Sequence, residues 1–248
     1  MQENKLLVRR GIYILPNLVT TASLFSGFMA IILAAESLFE WSAMAILVSA
    51  LMDGLDGKVA RWTGTSSEFG VQYDSLSDLA AFGIAPGFMV YAWMLEGYGR
   101  TGAVVAFLFA TCGALRLARF NVAAATGGSK KFFVGLPIPA AGCTLAALVF
   151  FVPYFPEFLS GIVPGFCLLL TGLLAVLMVS RVRYYSFKEF GFLHTHRYRS
   201  MVIAILLFSM IMAAPKLFGF LLFFGYIVFG LVYTFILLPK KARLPFTQ

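Results

Sequence analysis

Long apolar stretches separated by short polar breaks dominate the pattern along this chain. A helix that crosses a bilayer needs about 20 mostly apolar residues. Eight stretches approach this and are predicted to be helices: roughly 15–35, 41–61, 74–95, 101–124, 136–154, 161–180, 200–214 and 216–238. Glycines, prolines and charged residues lie at the breaks. The pattern predicts an all-α, polytopic membrane bundle in one domain, with a seventh helix that is short and either tilted or partly interfacial.

Composition supports a membrane protein and excludes an ordinary soluble domain. Only 12% of the 248 residues are charged, 60% are hydrophobic, and the mean hydropathy is +0.89. A soluble domain carries about 25% charged residues. Cys112, Cys143 and Cys167 lie apart in apolar runs and are interpreted as packing residues.

The distribution of basic residues predicts the orientation. With eight spans and both termini in the cytoplasm, all of the 19 basic residues except Arg100 and Lys216 fall in or beside cytoplasmic segments. This agrees with the positive-inside rule. Orientation also explains the net charge of +8, so binding of nucleic acid is not predicted.

Four aspartates at the predicted cytoplasmic ends of the second and third helices are the strongest functional signal. Residues three, four, seven and eight apart share a helical face, which groups Asp53 with Asp56 and Asp74 with Asp78. The two helices are consecutive and antiparallel, so their acidic faces can meet. Carboxylates near a bilayer are costly unless they are paired. Because hard oxygen ligands suit Mg²⁺ or Mn²⁺, the pattern indicates a divalent metal site.

Small and basic residues beside these acids indicate a phosphate-bearing substrate. Gly57 and Ala60 leave room for a bulky group to approach the second helix, and Arg61 offers a guanidinium suited to a phosphate. Two cations held by shared aspartates could clamp a pyrophosphate, and a fourth carboxylate could take a proton from an alcohol.

Two other interpretations of the acids are less consistent with the sequence. Helix-end salt bridges with nearby basic residues would explain one aspartate better than four. An ion-coupled transporter would place such acids near the bilayer midplane on broken helices. The cytoplasmic position therefore favours an enzyme.

The spacing Asp53-x2-Asp56-Gly57-x2-Ala60-Arg61-x8-Gly70-x3-Asp74-x3-Asp78 resembles the signature of the CDP-alcohol phosphotransferase family at every position. The resemblance implies an integral membrane enzyme, commonly a homodimer, which displaces CMP from a CDP-linked donor with an alcohol. It implies a six-helix core, here residues 1–183, followed by a basic loop and two additional helices in residues 184–248.

The resemblance also implies roles for the signature residues. Asp53, Asp56 and Asp74 would bind two Mg²⁺ or Mn²⁺ ions per active site, and Asp78 would bind metal or act as the general base. The expected CDP site is formed by Asn17, Thr20, Asp56, Gly57, Ala60, Arg61 and Gly70.

Further segments resemble the serine-transferring branch of the family: Leu15–Thr20, Phe82–Pro86, Gly113–Asn121, Phe133–Gly142 and Met178–Arg183. They imply transfer of a phosphatidyl group from CDP-diacylglycerol to L-serine at the cytoplasmic face of the cell (inner) membrane. A relative that uses choline or glycerol 3-phosphate is the alternative, and an ion-coupled transporter is a more distant one.

Arg116, Arg119 and Asn121 lie at the cytoplasmic end of the fourth helix and are candidates for an acceptor or phosphate pocket. The simpler interpretation is positive-inside anchoring. Two arginines three apart share a face, however, and a serine carboxylate needs such a partner. For Asn17 and Thr20 the simpler interpretation is N-capping of the first helix.

Overall fold

The computed structural model describes residues 14–63, 67–125, 132–185 and 214–237. These residues form seven helical regions and one short β ladder. In chain order they are α1 (Ile14–Ala35), α2 (Phe39–Thr63), α3 (Glu68–Tyr98, with internal irregularities), α4 (Arg100–Ala125), β1 (Phe132–Val134), α5 (Ile138–Phe151), α6 (Val163–Val179), β2 (Arg183–Tyr185) and α7 (Pro215–Val232). The predicted all-α class is confirmed, with the two-stranded ladder as an addition.

Five helical stretches in the described part of the chain are long and apolar enough to cross a membrane: Asn17–Ala35, Glu68–Tyr98, Arg100–Ala123, Ser160–Val179 and Lys216–Phe235. α2 matches the second predicted span in position but carries charged residues, among them Asp53 and Asp56. The fifth predicted span corresponds to a shorter apolar helix, Ile138–Tyr154. The predicted span 200–214 lies almost wholly outside the described residues.

α5 forms the centre of the bundle. From Ala141 to Phe150 its side chains are buried, and it packs against α2, α3, α6 and α7. Small residues permit these contacts: a Cβ placed on Gly142 would lie 2.8 Å from the Phe82 carbonyl oxygen of α3. A helix that is apolar on all sides is suited to such a buried position.

α3 begins six residues earlier than the sequence pattern predicted, at Glu68 instead of residue 74. Ser67 caps it by accepting a hydrogen bond from the Gly70 N–H at 3.0 Å. This early start puts Gly70, Asp74 and Asp78 on one continuous helical segment, Glu68–Asp78. Serine is favoured at this position because its hydroxyl accepts from a free N–H of the first helical turn.

A π-helical turn, Leu79–Ile84, follows immediately after Asp78. The Ala85 N–H bonds the Ala80 carbonyl, five residues back. Pro86 contributes to this irregularity, because proline has no N–H to donate to the carbonyl four residues before it. Such turns often occur beside functional sites.

The hairpin of α1 and α2 is held by serine hydroxyl groups. Ser23 and Ser49 hydroxyls lie 2.7 Å apart, and Ser42 donates to the Ala30 carbonyl at 2.7 Å. α1 also contacts α3 closely, since a Cβ on Gly27 would lie 2.6 Å from the Ala81 Cα. α1, α2 and α3 therefore form one packed unit around the acidic residues.

β1 and β2 pair antiparallel, with Phe133 opposite Tyr184. The ladder joins the segment before α5 to the segment after α6. Gly135 follows β1 with a φ of 87°, and its N–H donates to the Val182 carbonyl at 2.8 Å. A side chain at Gly135 would collide with the Met178 carbonyl, so only glycine fits this approach.

Candidate active site

The structure brings three aspartates from two helices together. Asp53 and Asp56 lie on α2, Asp74 lies on α3, and one carboxylate oxygen from each falls within 4.8 Å of the others. Asp56 is buried, while Asp53 and Asp74 are half-buried. We call these three residues the acidic cluster. Their meeting is what the facing helical stripes predicted.

Asp78 lies one helical turn beyond Asp74 and is not part of that triplet. It interacts electrostatically with all three members of the acidic cluster and with Arg116. Its Oδ1 atom is buried, and no hydrogen-bond partner for it occurs among the residues that the structure describes. A buried carboxylate oxygen without a partner is costly, so this atom is suited to receive a proton or a cation.

Thr20 of α1 connects the two acidic helices. Its hydroxyl donates to Oδ2 of Asp56 at 2.9 Å, and its backbone carbonyl accepts from the Ser77 hydroxyl at 3.2 Å. Both side chains are buried. Thr20 therefore orients one carboxylate directly and fixes the segment of α3 between Asp74 and Asp78.

Asn17 and Gly70 lie side by side, as expected for two residues of one site. A Cβ on Gly70 would lie 3.6 Å from Asn17 Oδ1 and 3.2 Å from Ser67 Oγ. The Thr21 hydroxyl lies 2.9 Å from the Tyr73 hydroxyl beside them. This polar group at the ends of α1 and α3 borders the acidic cluster.

Gly57, Ala60 and Arg61 continue α2 beyond Asp56. Their backbone lies in the helix, but their side chains lie outside the described part of the structure. Their expected contacts with a nucleotide remain predictions.

Arg116 and Arg119 are three residues apart on α4, yet their surroundings differ. Arg116 is 8% exposed and lies near Asp78. Arg119 is exposed, and its guanidinium donates to the carbonyls of Val179 at 3.0 Å and Met178 at 3.4 Å. These carbonyls belong to the last turn of α6, where helical acceptors lack partners. Arg119 thus caps α6, while Arg116 is buried within electrostatic range of Asp78.

Asn121 links α4 to α3. Its Nδ2 donates to the Ser75 hydroxyl at 3.0 Å and to Gln72 Oε1 at 3.2 Å. Ser75 follows Asp74 directly. The amide therefore holds the segment of α3 that carries the acidic cluster.

Three serines that the residue spacing did not single out also support the site: Ser67, Ser75 and Ser77. Each contributes a hydroxyl contact that fixes the acid-bearing segment of α3. In the sequence they appear as small polar residues among the acids of an otherwise apolar stretch. Hydroxyl groups are common in helices, however, and the sequence does not show which groups they bond.

A sequence model described as CDP-alcohol phosphatidyltransferase matches residues 13–179. This range contains every residue of the acidic cluster together with Asp78 and Arg116. The chain belongs to the CDP-alcohol phosphatidyltransferase family.

Curated proteins similar to this family member include enzymes named CDP-diacylglycerol–serine O-phosphatidyltransferase. The Helicobacter pylori protein is 36% identical over 92% of this chain and 94% of its own length. The Methanocaldococcus jannaschii protein is 32% identical over 90% and 95%, respectively. An archaetidylserine synthase of Methanothermobacter thermautotrophicus is 36% identical over 68% of the chain and 69% of its own length.

The residues present in this CDP-alcohol phosphatidyltransferase fit a divalent cation. The acidic cluster offers three oxygen ligands at close range, and Asp78 adds an oxygen with no partner in the described residues. Hard cations such as Mg²⁺ and Mn²⁺ prefer oxygen ligands of this kind. Arg116 adds a positive group within electrostatic range of Asp78.

Proposed function

We propose that this protein transfers the phosphatidyl group of CDP-diacylglycerol to L-serine, which forms phosphatidylserine and releases CMP. The observation that carries the proposal is the acidic cluster, with Asp78 one turn beyond it, whose Oδ1 has no hydrogen-bond partner among the described residues. The serine acceptor is supported by the names of the relatives that cover most of the chain.

The acidic cluster is proposed to hold two Mg²⁺ or Mn²⁺ ions per active site, with Asp78 close enough to share one. When bound, such ions neutralise a diphosphate and stabilise charge on its leaving oxygen. Thr20 supports this arrangement by fixing one oxygen of Asp56.

CDP is proposed to lie between the ends of α1, α2 and α3. Asn17 lies beside Gly70 there, and Thr20 donates to Asp56, which is proposed to contact both metal and nucleotide. Gly57, Ala60 and Arg61 are proposed to line the same site from α2. The absence of side chains at the glycines allows the diphosphate to approach the helix backbone.

Asp78 is proposed to be the general base. Its carboxylate takes the proton from the serine hydroxyl as the serine oxygen bonds to the phosphorus that carries diacylglycerol. The bond from that phosphorus to the CMP oxygen breaks, and CMP leaves with the electron pair. A serine hydroxyl is a weak nucleophile without such a base.

The acceptor or phosphate pocket is proposed to lie around Arg116, whose guanidinium would pair with an anionic group. Arg119 and Asn121 support its walls, since they hold α6 and α3 against α4.

The proposed setting is the cell (inner) membrane, with eight spans, both termini in the cytoplasm and the active site at the cytoplasmic face. The basic residues support this orientation, because all but two of the 19 then lie on the cytoplasmic side. The family commonly forms homodimers, and a homodimer is proposed here as well.

An acceptor screen tests the proposed function. Detergent-solubilised protein is incubated with CDP-diacylglycerol, a divalent cation and one alcohol at a time, and CMP and lipid products are measured. We expect serine to give product, and choline and glycerol 3-phosphate to give little. Product from another alcohol alone would move the protein to a different branch of the family, and absence of CMP release with every alcohol would contradict the enzyme.

A further inference from the structure

Arg116 is a buried cation with an unused donor. Its side chain is 8% exposed, and its Nε has no hydrogen-bond partner among the residues that the structure describes. A buried guanidinium is stable only when its donors and charge are satisfied. Asp78 lies within electrostatic range but leaves Nε without a partner. An anionic oxygen from a ligand would satisfy this donor.

α7 is firmly seated against the core although it lies beyond the family match. At its start, Lys216 lies 3.5 Å from Glu40 and sits over the Phe150 ring. Phe220 stacks on Phe151 with ring centroids 4.6 Å apart, and Ile227 is 2% exposed. These contacts fix the rotation of α7 about its own axis.

The far end of α7 reaches the same end of the bundle as Arg116. α7 and the helical turn that follows it contact β2, Arg183–Tyr185. β2 follows the end of α6, and Arg119 caps that end from one turn beyond Arg116 on α4. α7 therefore runs along α5 from the Glu40 end to the Arg116 end.

Tyr226 is a polar residue of α7 within electrostatic range of Arg116. It precedes the buried Ile227, is itself half-buried, and interacts electrostatically with Arg116. A tyrosine hydroxyl can donate a hydrogen bond to an anion that a guanidinium already attracts. Arg116 and Tyr226 are therefore within electrostatic range of each other, although their helices are far apart in the sequence.

α7 lies outside the part of the chain that matches the family model, but the match to a serine enzyme continues further. The family model ends at residue 179, whereas the Helicobacter pylori serine enzyme matches 92% of the chain, so that match extends into the C-terminal segment. A contribution from this segment to substrate selection agrees with that difference.

We propose that Tyr226 of α7 completes, together with Arg116, a binding pocket for an anionic oxygen of a substrate. We call it the Arg116 pocket. It rests on the proposed function, because the anion is either the carboxylate of the acceptor serine or a phosphate of the CDP-linked donor. The final helix thereby contributes to substrate specificity and does not serve only as a membrane anchor.

The test compares Tyr226→Phe with wild type and with the control Tyr98→Phe. Tyr98 is exposed at the opposite end of α3 and is remote from the acidic cluster. Tyr226→Phe removes one hydroxyl and keeps the ring. We expect the KM for one anionic substrate to rise about tenfold, as for loss of a hydrogen bond to a charged group, while kcat changes less than threefold.

The two sources of the anion are distinguished by measuring three substrates. A rise in the KM for serine, without a matching change for serinamide, assigns the pocket to the carboxylate, because serinamide lacks that charge. A rise in the KM for CDP-diacylglycerol assigns it to a donor phosphate. If both KM values stay within twofold of the Tyr98→Phe control, the pocket is disproved.

Failure of the proposed function is distinguishable from failure of the pocket, because wild-type protein would then release no CMP with serine. The effect of Tyr226→Phe is then measured with whichever alcohol the wild type uses, and an unchanged KM for both that alcohol and the donor would again overturn the pocket. Size-exclusion chromatography and thermal melting of the variant check that it is folded.

Discussion

The carboxylates around the acidic cluster come from two helices that follow each other in the chain, whereas the Arg116 pocket is assembled from distant segments. Asp53 and Asp74 lie on the two helices of one hairpin. Arg116 lies on α4, and Tyr226 comes from α7, more than a hundred residues later. One part of the site is local in sequence, and the other depends on how the whole bundle packs.

The two regions also differ in what satisfies their charges. Near the acidic cluster, hydroxyl groups such as that of Thr20 orient the carboxylates, but negative charges still predominate. In the Arg116 pocket a cation is buried with a donor unused in the described structure. The first region therefore suits cations and the second suits an anion.

The largest effect is expected in the acidic cluster. Asp74→Asn removes a charge from the three oxygen ligands that lie within 4.8 Å of one another. Loss of several kcal/mol of metal-derived stabilisation should lower kcat/KM at least about 10³-fold. Chelation of divalent cations should have the same effect on wild type, and adding Mg²⁺ or Mn²⁺ should reverse it.

Glu68→Gln is the matched control for Asp74→Asn. Glu68 lies on the same helix but is exposed and is not part of the acidic cluster. Its substitution should leave the rate and the cation requirement unchanged. Full activity of wild type in excess EDTA would contradict the metal-binding role of the cluster.

The next effect is expected at Asp78, which lies between the two regions. Asp78→Asn keeps the size of the side chain and removes its basicity. The value of kcat should fall by about 10²–10⁴ if general-base catalysis is lost. Binding of CDP-diacylglycerol and of a divalent cation should persist, because Asp53, Asp56 and Asp74 remain. Turnover near the wild-type rate would show that the serine proton leaves by another route.

The arrangement of the acidic region could be predicted from the sequence, because it depends on residue spacing within two consecutive helices. Once two consecutive helices were predicted, residue spacing alone placed Asp53, Asp56 and Asp74 on facing stripes. The start of α3 at Glu68 and its π-helical turn after Asp78 were not predicted, because they depend on the Ser67 cap and on packing near Pro86.

The Arg116 side could be predicted only in part. The sequence placed Arg116 and Arg119 on one helical face, but it could not show that one lies within electrostatic range of Asp78 while the other caps α6. Those partners come from segments far along the chain. The position of Tyr226 relative to Arg116 could not be predicted either, because no residue pattern relates α7 to α4.

A smaller effect is expected from Arg116→Ala than from the aspartate variants. The substitution removes the positive side of the pocket and should raise the KM of the anionic substrate by about 10- to 100-fold. It should affect the same substrate as Tyr226→Phe. The KM values are measured by separate titration of serine and CDP-diacylglycerol. An increase in KM confined to a different substrate would contradict a shared pocket.

The smallest kinetic effect is expected from Arg119→Ala. This variant removes the donors to the Val179 and Met178 carbonyls at the end of α6, but it leaves Arg116 in place. Loss of these charge-assisted hydrogen bonds should cost about 1–3 kcal/mol of stability, which would be measured as a lower midpoint of thermal unfolding in detergent. Because the contacts are to backbone and not to substrate, the KM for serine should stay within about twofold of wild type. Arg119→Lys retains a cation that can reach one carbonyl and should recover part of the lost stability. A KM increase as large as that of Arg116→Ala, with an unchanged unfolding midpoint, would instead place Arg119 in direct contact with substrate and would remove the distinction between the two arginines.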